Sequence, residues 1–148
     1  NEIINTITVA GYEAETGTLN EHQIITTLPE DFIGESHAGD IKLSMDGRFL
    51  YATNRGHDSI AVYCICKDGR LALTSIESSL GASPQSLAIS YCGQFLLSAN
   101  FLGDCIAVFK INLESGHLAP IGKPVHIRHP SCIAISHKRN NSHIREKC

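Results

Sequence analysis

An all-β fold, a β-propeller fragment of four-stranded antiparallel blades, is predicted by three observations. An apolar tetrad recurs as Ile41-Lys42-Leu43-Ser44, Leu87-Ala88-Ile89-Ser90 and Ile133-Ala134-Ile135-Ser136, each 46 residues after the last. The first two copies are followed by the same succession of short β-rich runs, separated by turn residues. The 3.6-residue apolar period that a helical solenoid would need is missing. A β-sandwich could use similar strands but gives no reason for the sequence to repeat.

Taken in order, Asn5-Thr6-Ile7-Thr8-Val9 is a loose copy of a third strand and opens an outer half-blade over 5–28. A complete blade covers 40–77, where Asp46-Gly47-Arg48-Phe49-Leu50-Tyr51-Ala52-Thr53-Asn54 precedes Asp58-Ser59-Ile60-Ala61-Val62-Tyr63. Both segments return in the blade over 86–126 as Cys92-Gly93-Gln94-Phe95-Leu96-Leu97-Ser98-Ala99-Asn100 and Asp104-Cys105-Ile106-Ala107-Val108-Phe109. Four strands are expected there: Ser86 to Ser90, Phe95 to Asn100, Cys105 to Ile111 and Leu118 to Val125. The loop Asn112 to Gly116 joins the last two, with glycine placed for positive φ. Residues 132–136 read as the first strand of a further blade, and 137–148 as an atypical tail that departs from the repeat. Propellers have four to eight blades, so the chain does not close a ring by itself. It is either a fragment or one of several copies that complete a ring through their exposed blade edges.

Composition narrows the functional classes. The 148 residues are 43% hydrophobic and 18% charged, with a formal net charge of −3, which provides no general attraction to nucleic acid or anionic membrane. No apolar run reaches the roughly 18 residues of a membrane helix, and the first residues lack a basic segment followed by an apolar core. Cys64, Cys92, Cys105 and Cys132 lie in or beside apolar β-rich runs and read as free thiols, so a cytoplasmic location is expected. Cys64 and Cys66 share a strand face but match neither a redox Cys-x-x-Cys pair nor a zinc knuckle. His126 and His129 point to opposite sides of an extended segment with no third ligand, so neither a metal nor a cofactor is expected.

Strands that run up and down place alternate joins on opposite rims. Short Gly turns such as Asp46-Gly47 and Asp68-Gly69 fall on one rim. The other receives His37, Asp40, Asn54-Arg55-Gly56-His57, Ser83-Pro84-Gln85, Asn100-Phe101-Leu102-Gly103 and His129-Pro130. His37, Ser83 and His129 are repeat equivalents beside an innermost strand. Arg55 and His57 correspond to Phe101 and Gly103, so the blade scaffold does not require a cation or an imidazole there. Asn54 and Asn100 recur and are expected to form turns; Asp58 and Asp104 are expected to cap them.

The stretch from Ser44 through Asn54-Arg55-Gly56-His57-Asp58-Ser59 to Tyr63 closely resembles the signature of the lactonase family of seven-bladed propellers. That family includes propeller-type 6-phosphogluconolactonases and carboxymuconate-lactonising enzymes. The segments Ser83-Pro84 through Asn100, Cys105 to Leu118 and Pro130-Ser131-Cys132 extend the resemblance over most of 5–136. It implies about three of seven blades and a mouth site for a small acidic lactone, with Arg55 and His57 carried over. Asp40 stands where the family usually has Glu, and Gln85 where it often has Arg. By this resemblance His57 or Asp40 activates water, and Arg55 holds a phosphate or the developing oxyanion. His37 or His129 supplies a further donor, and Gln85 lies among the binding residues. The implied activity is hydrolysis of a sugar lactone such as 6-phosphogluconolactone by the full-length parent, impaired in this chain. Cycloisomerisation would use similar groups, and a non-catalytic binding module or an inactive truncated product is the alternative.

Overall fold

The structure, a computed structural model, describes residues 1–136, so the tail expected over 137–148 lies outside the described residues. Among these residues the regular elements are all strands. β1 (Thr6–Glu13) and β2 (Thr18–Thr26) form an antiparallel pair. β3 (His37–Leu43), β4 (Phe49–Arg55), β5 (Ser59–Ile65) and β6 (Leu71–Ser78) form an antiparallel sheet in chain order. β7 (Pro84–Ile89), β8 (Phe95–Asn100), β9 (Cys105–Ile111) and β10 (Leu118–Pro120) repeat that order, and β11 (Val125–His126) also pairs with β9. These are the four-stranded antiparallel sheets of a propeller.

Three details depart from the sequence expectation. The innermost strand of the last sheet begins at Pro84, ahead of the expected Ser86. Its outermost strand is broken into β10 and β11, because Gly122 takes a positive φ of 63° and Pro124 has no amide to donate. Residues 132–136 are not a strand; the Ile133 amide donates to Ser86 Oγ at 3.4 Å, and among the described residues no strand pairs with this segment to form a ladder.

Packing follows from the two-residue period. Phe49 and Tyr51 of β4, with Ile60 and Val62 of β5, face one way and pack on Leu87, Leu96, Phe109 and Ile111 of the following sheet. Leu50 and Ala52, with Ala61 and Tyr63, face the other way toward Ile7, Val9 and Ile25 of the preceding pair. The central strands β4 and β5 are thereby covered on both sides, so their runs are continuously apolar instead of alternating. Each large side chain so enclosed contributes about 1.5–3 kcal/mol. Tyr12 and Leu19 on one flank and Val125 on the other stay exposed, where a sheet face has no neighbour among the described residues.

Polar groups tie the sheets together at the end of β4 and its counterpart. Asn54 donates from Nδ2 to the Thr27 carbonyl at 2.7 Å, and Asn100 to the Ser79 carbonyl at 2.9 Å. Both asparagines are fully buried and link neighbouring sheets. That is a different role from the turn formation expected of them. Asp58 Oδ1 accepts from the Ser83 amide and Asp104 Oδ1 from the His129 amide, each at 2.8 Å, which holds the chain as it enters the next unit. Asp40 reaches across in the same sense, with Oδ2 accepting from the Leu87 amide at 2.9 Å.

Two stability predictions follow from these ties. Asn100 Oδ1 accepts from Ser98 Oγ at 3.1 Å, but Ala52 occupies the equivalent place beside Asn54, whose Oδ1 is buried with no partner among the described residues. Ala52→Ser should restore that bond and raise unfolding free energy by about 1 kcal/mol, read from urea denaturation. An unchanged or lowered midpoint would contradict the assignment. Burial by itself would raise the Asp40 carboxyl, but hydrogen bonds from Lys42, Leu87 and Ile41 outweigh it and hold the group below its ordinary value. A depressed folded value means stability that is present above about pH 4 and lost as pH falls through the folded value. Asp40→Asn should therefore cost about 1 kcal/mol near pH 6, with the difference from wild type shrinking as melts are repeated toward about pH 3.

Candidate functional site

Antiparallel pairing places the start of β3 beside the end of β4, so His37 lies opposite Arg55. The same pairing sets Leu43 opposite Leu50 at the other end, next to the Asp46-Gly47 turn. The rim that carries Arg55 also receives the joins 27–36, 56–58, 79–83 and 101–104. Between them lies a cleft of about 360 Å³ lined by Glu35, His37, Arg55, Asp58, Ser83 and Leu102, among others.

The cleft depends on a close approach of two loops. Gly56 follows Arg55 with φ of 107°, a conformation strained for any residue with a Cβ. A Cβ at this position would also collide with the Glu35 carbonyl, so the 28–36 loop lies directly against the turn. Asn5 pins that loop from below, its Nδ2 donating to the Ser36 carbonyl at 2.7 Å.

Arg55 is three-quarters buried and its guanidinium is engaged from one side. Nη2 donates to Glu2 Oε1 and, at 3.3 Å, to the Ala38 carbonyl, while Nε is buried without a partner among the described residues. The Glu2 carbonyl accepts from the Ala38 amide at 2.9 Å, which fixes the backbone beneath the ion pair. Glu2 was not among the residues singled out from the sequence. A signal for it exists: Asn1-Glu2, Asn54-Arg55 and Asn100-Phe101 each precede a third strand by the same distance, so Glu2 and Arg55 occupy equivalent places on successive sheets.

The remaining candidates divide. His37 shares the cleft with Arg55, its Nε2 4.0 Å from Glu35 Oε1. His57 is held instead by its own turn, with Nδ1 2.7 Å from Ser59 Oγ and its ring edge-on to Phe32 at 4.8 Å between centroids. Asp40 sits in a bulge of β3, where its carboxylate accepts from Ile41, Lys42, Leu87 and Ser86. With those donors in place and its acid form disfavoured, Asp40 is a tie between inner strands and a poor acceptor for a proton from water. Gln85 occupies the corresponding bulge of β7, outside the lining of the Arg55 cleft. His129 packs on the Phe101 ring at 5.0 Å between centroids, with Nδ1 3.6 Å from Asp104 Oδ1. Among the described residues no group of three or more His, Cys, Asp or Glu side chains could hold a metal ion.

What this rim offers chemically is a guanidinium that already binds a carboxylate, an imidazole in the same cleft, and a second imidazole on the adjoining turn. Such a set suits recognition of an anion or a developing oxyanion.

Known proteins share this architecture. The signature of the family described as "Lactonase, 7-bladed beta-propeller" matches residues 1–135. The 6-phosphogluconolactonase of Bacillus subtilis is 30% identical over 138 residues, which cover 93% of this chain and 40% of that protein. The crystal structure of a protein from Lactobacillus plantarum superposes with a TM-score of 0.86 at 30% identity, covering 88% of this chain and 38% of that one. The periplasmic gluconolactonase of Pseudomonas aeruginosa superposes with a TM-score of 0.83 at 32% identity, covering 88% and 36%. The chain thus spans no more than 40% of the length of these relatives. With a signature matched over nearly all the described residues and the antiparallel sheets that it requires, the chain belongs to the lactonase family of seven-bladed β-propellers.

Proposed function

We propose that a complete ring containing these blades hydrolyses a small acidic sugar lactone in the manner of a 6-phosphogluconolactonase, and that the present chain alone has little of that activity. The observation that carries the reading is the Arg55 guanidinium, seated at the cleft with a carboxylate already on it. A group that binds the Glu2 carboxylate can bind the phosphate or carboxylate of a substrate, or the oxyanion formed on its carbonyl.

Hydrolysis adds water to the lactone carbonyl, places negative charge on its oxygen and then breaks the ring C–O bond. The water gives up a proton to a base, and the departing ring oxygen takes one up. Arg55 and His37 are assigned to the charge on the ligand. Asp40 is committed to its neighbours, so the water-activating role is assigned to Glu2, whose carboxylate is released when an acidic ligand takes its place on Arg55. Gln85 and His129 lie outside the Arg55 cleft and are assigned to more distant parts of a ligand. A cytoplasmic location is part of the same proposal, supported by the free thiols Cys64, Cys66, Cys92, Cys105 and Cys132.

One observation favours a non-catalytic binding module: the charge of Arg55 is already balanced by Glu2. Kinetics separate the two readings. In a complete propeller Arg55→Ala should lower kcat/KM for an acidic sugar lactone by about 100-fold, measured above the spontaneous rate. Wild-type hydrolysis no faster than that background would leave the binding module as the better account. For the present chain the expected rate is indistinguishable from background; clear catalysis lost in Arg55→Ala would show that a partial mouth suffices.

A further inference from the structure

The turn between β4 and β5 carries a hydrogen-bond relay whose polarity can be followed atom by atom. Asn54 Nδ2 donates to the Thr27 carbonyl. A carbonyl only accepts, so this contact fixes which end of the amide faces it. The same nitrogen also points at Ser59 Oγ, 3.1 Å away, which must therefore accept. Ser59 is 2% exposed, and His57 Nδ1 lies 2.7 Å from its oxygen. Among the described residues that nitrogen is the one remaining neighbour able to take the Ser59 hydroxyl proton. With a hydrogen on Nδ1, two donors would converge on Oγ and the hydroxyl hydrogen would be buried without an acceptor. That arrangement is disfavoured roughly tenfold or more.

We infer that Ser59 is a positioning residue that holds neutral His57 as the Nε2–H tautomer, so that the outer nitrogen of His57 is a hydrogen-bond donor and not a base. The role at a lactone rests on the function proposed above; the tautomer does not. The next sheet carries the same polarity. Asn100 Nδ2 donates to the Ser79 carbonyl and, at 3.6 Å, to Cys105 Sγ, whose thiol donates onward to the Leu80 carbonyl at 3.8 Å. There the relay ends on an obligate acceptor; in the β4–β5 turn the Nδ1 lone pair of His57 takes that place. The Phe32 ring, at 88° to the imidazole, restrains its rotation.

This polarity changes the chemistry open to His57. As water adds to the lactone carbonyl, the C=O electron pair moves onto oxygen, where an Nε2–H can share the charge. The proton of the attacking water must go elsewhere, in the proposed mechanism to Glu2, which then returns it to the departing ring oxygen as the hydroxy acid forms. At a lactone His57 would thus act as a donor on the turn adjoining the Arg55 cleft and not as the base, which is a carboxylate.

The test is a long-range 1H–15N correlation spectrum of the 148-residue chain labelled at histidine, recorded near about pH 8.5 where imidazole is neutral. The His57 signals are identified by their loss in His57→Gln. Wild type should show hydrogen on Nε2 and a bare Nδ1; Ser59→Ala should relax this to a mixture, and Ser59→Cys, the residue of the next sheet, should retain part of the preference. Hydrogen on Nδ1 in wild type, or a Ser59→Ala spectrum identical to wild type, overturns the inference. Should Ser59→Ala not fold, the wild-type spectrum decides alone. Because the readout is spectroscopic, an inactive complete propeller would remove the proposed lactone chemistry and leave the tautomer standing.

Discussion

The Asn54 amide, fully buried between two sheets, is the interaction on which the mouth of these blades depends. Its Nδ2 engages the Thr27 carbonyl of the preceding unit and the Ser59 hydroxyl of its own. A buried amide without such partners would cost several kcal/mol, so the end of β4 has one well-defined place relative to its neighbour. The residues immediately after it, Arg55 and His57, inherit that place. The guanidinium and the imidazole are thus positioned outward from a structural tie.

That tie works because the hydrophobic core is split between two interfaces. Alternate residues of β4 and β5 serve the preceding and the following sheet, so neither interface can shift without disturbing the other. The polar links lie at the rim, where the strands end and their amides and carbonyls need partners. Asp58 and Asp104 use carboxylates to receive the amides of Ser83 and His129, and Asp40 does the same for Leu87. Carboxylates on this rim therefore differ in whether the scaffold already uses them, and Asp58 is so used although it also lines the cleft. Telling them apart decides which groups can take part in a reaction.

The electrostatics of the cleft are balanced more than cationic. Arg55 is paired with Glu2, and Glu35 and Asp58 line the cavity beside it. An acidic ligand would exchange one ion pair for another, which favours discrimination over raw affinity. On the adjoining turn, the Nε2–H form inferred for His57 would add a donor without adding net charge.

The blade architecture was determined by the sequence alone, because a 46-residue repeat of two-residue periodicity admits few other folds and each strand's pattern is local. That Arg55 and His37 share a rim was legible for the same reason, since strand alternation sets the end of the sheet at which each lies. Glu2 was missed because it lies in the loosest copy, where only Asn1 marks the register against Asn54 and Asn100. The role of Asp40 was decided only by the tertiary structure, since the Leu87 amide that captures it lies on a different sheet and no local spacing reports such a contact. The separation of His57 from the Arg55 cleft was decided there too. One glycine, Gly56, lies between them, yet its left-handed backbone and the loop packed against it turn one side chain toward the cavity and the other onto Ser59 and Phe32. Sequence sets which side chains share a rim through strand alternation; their pairing across sheets depends on distances that exist only once the sheets have packed.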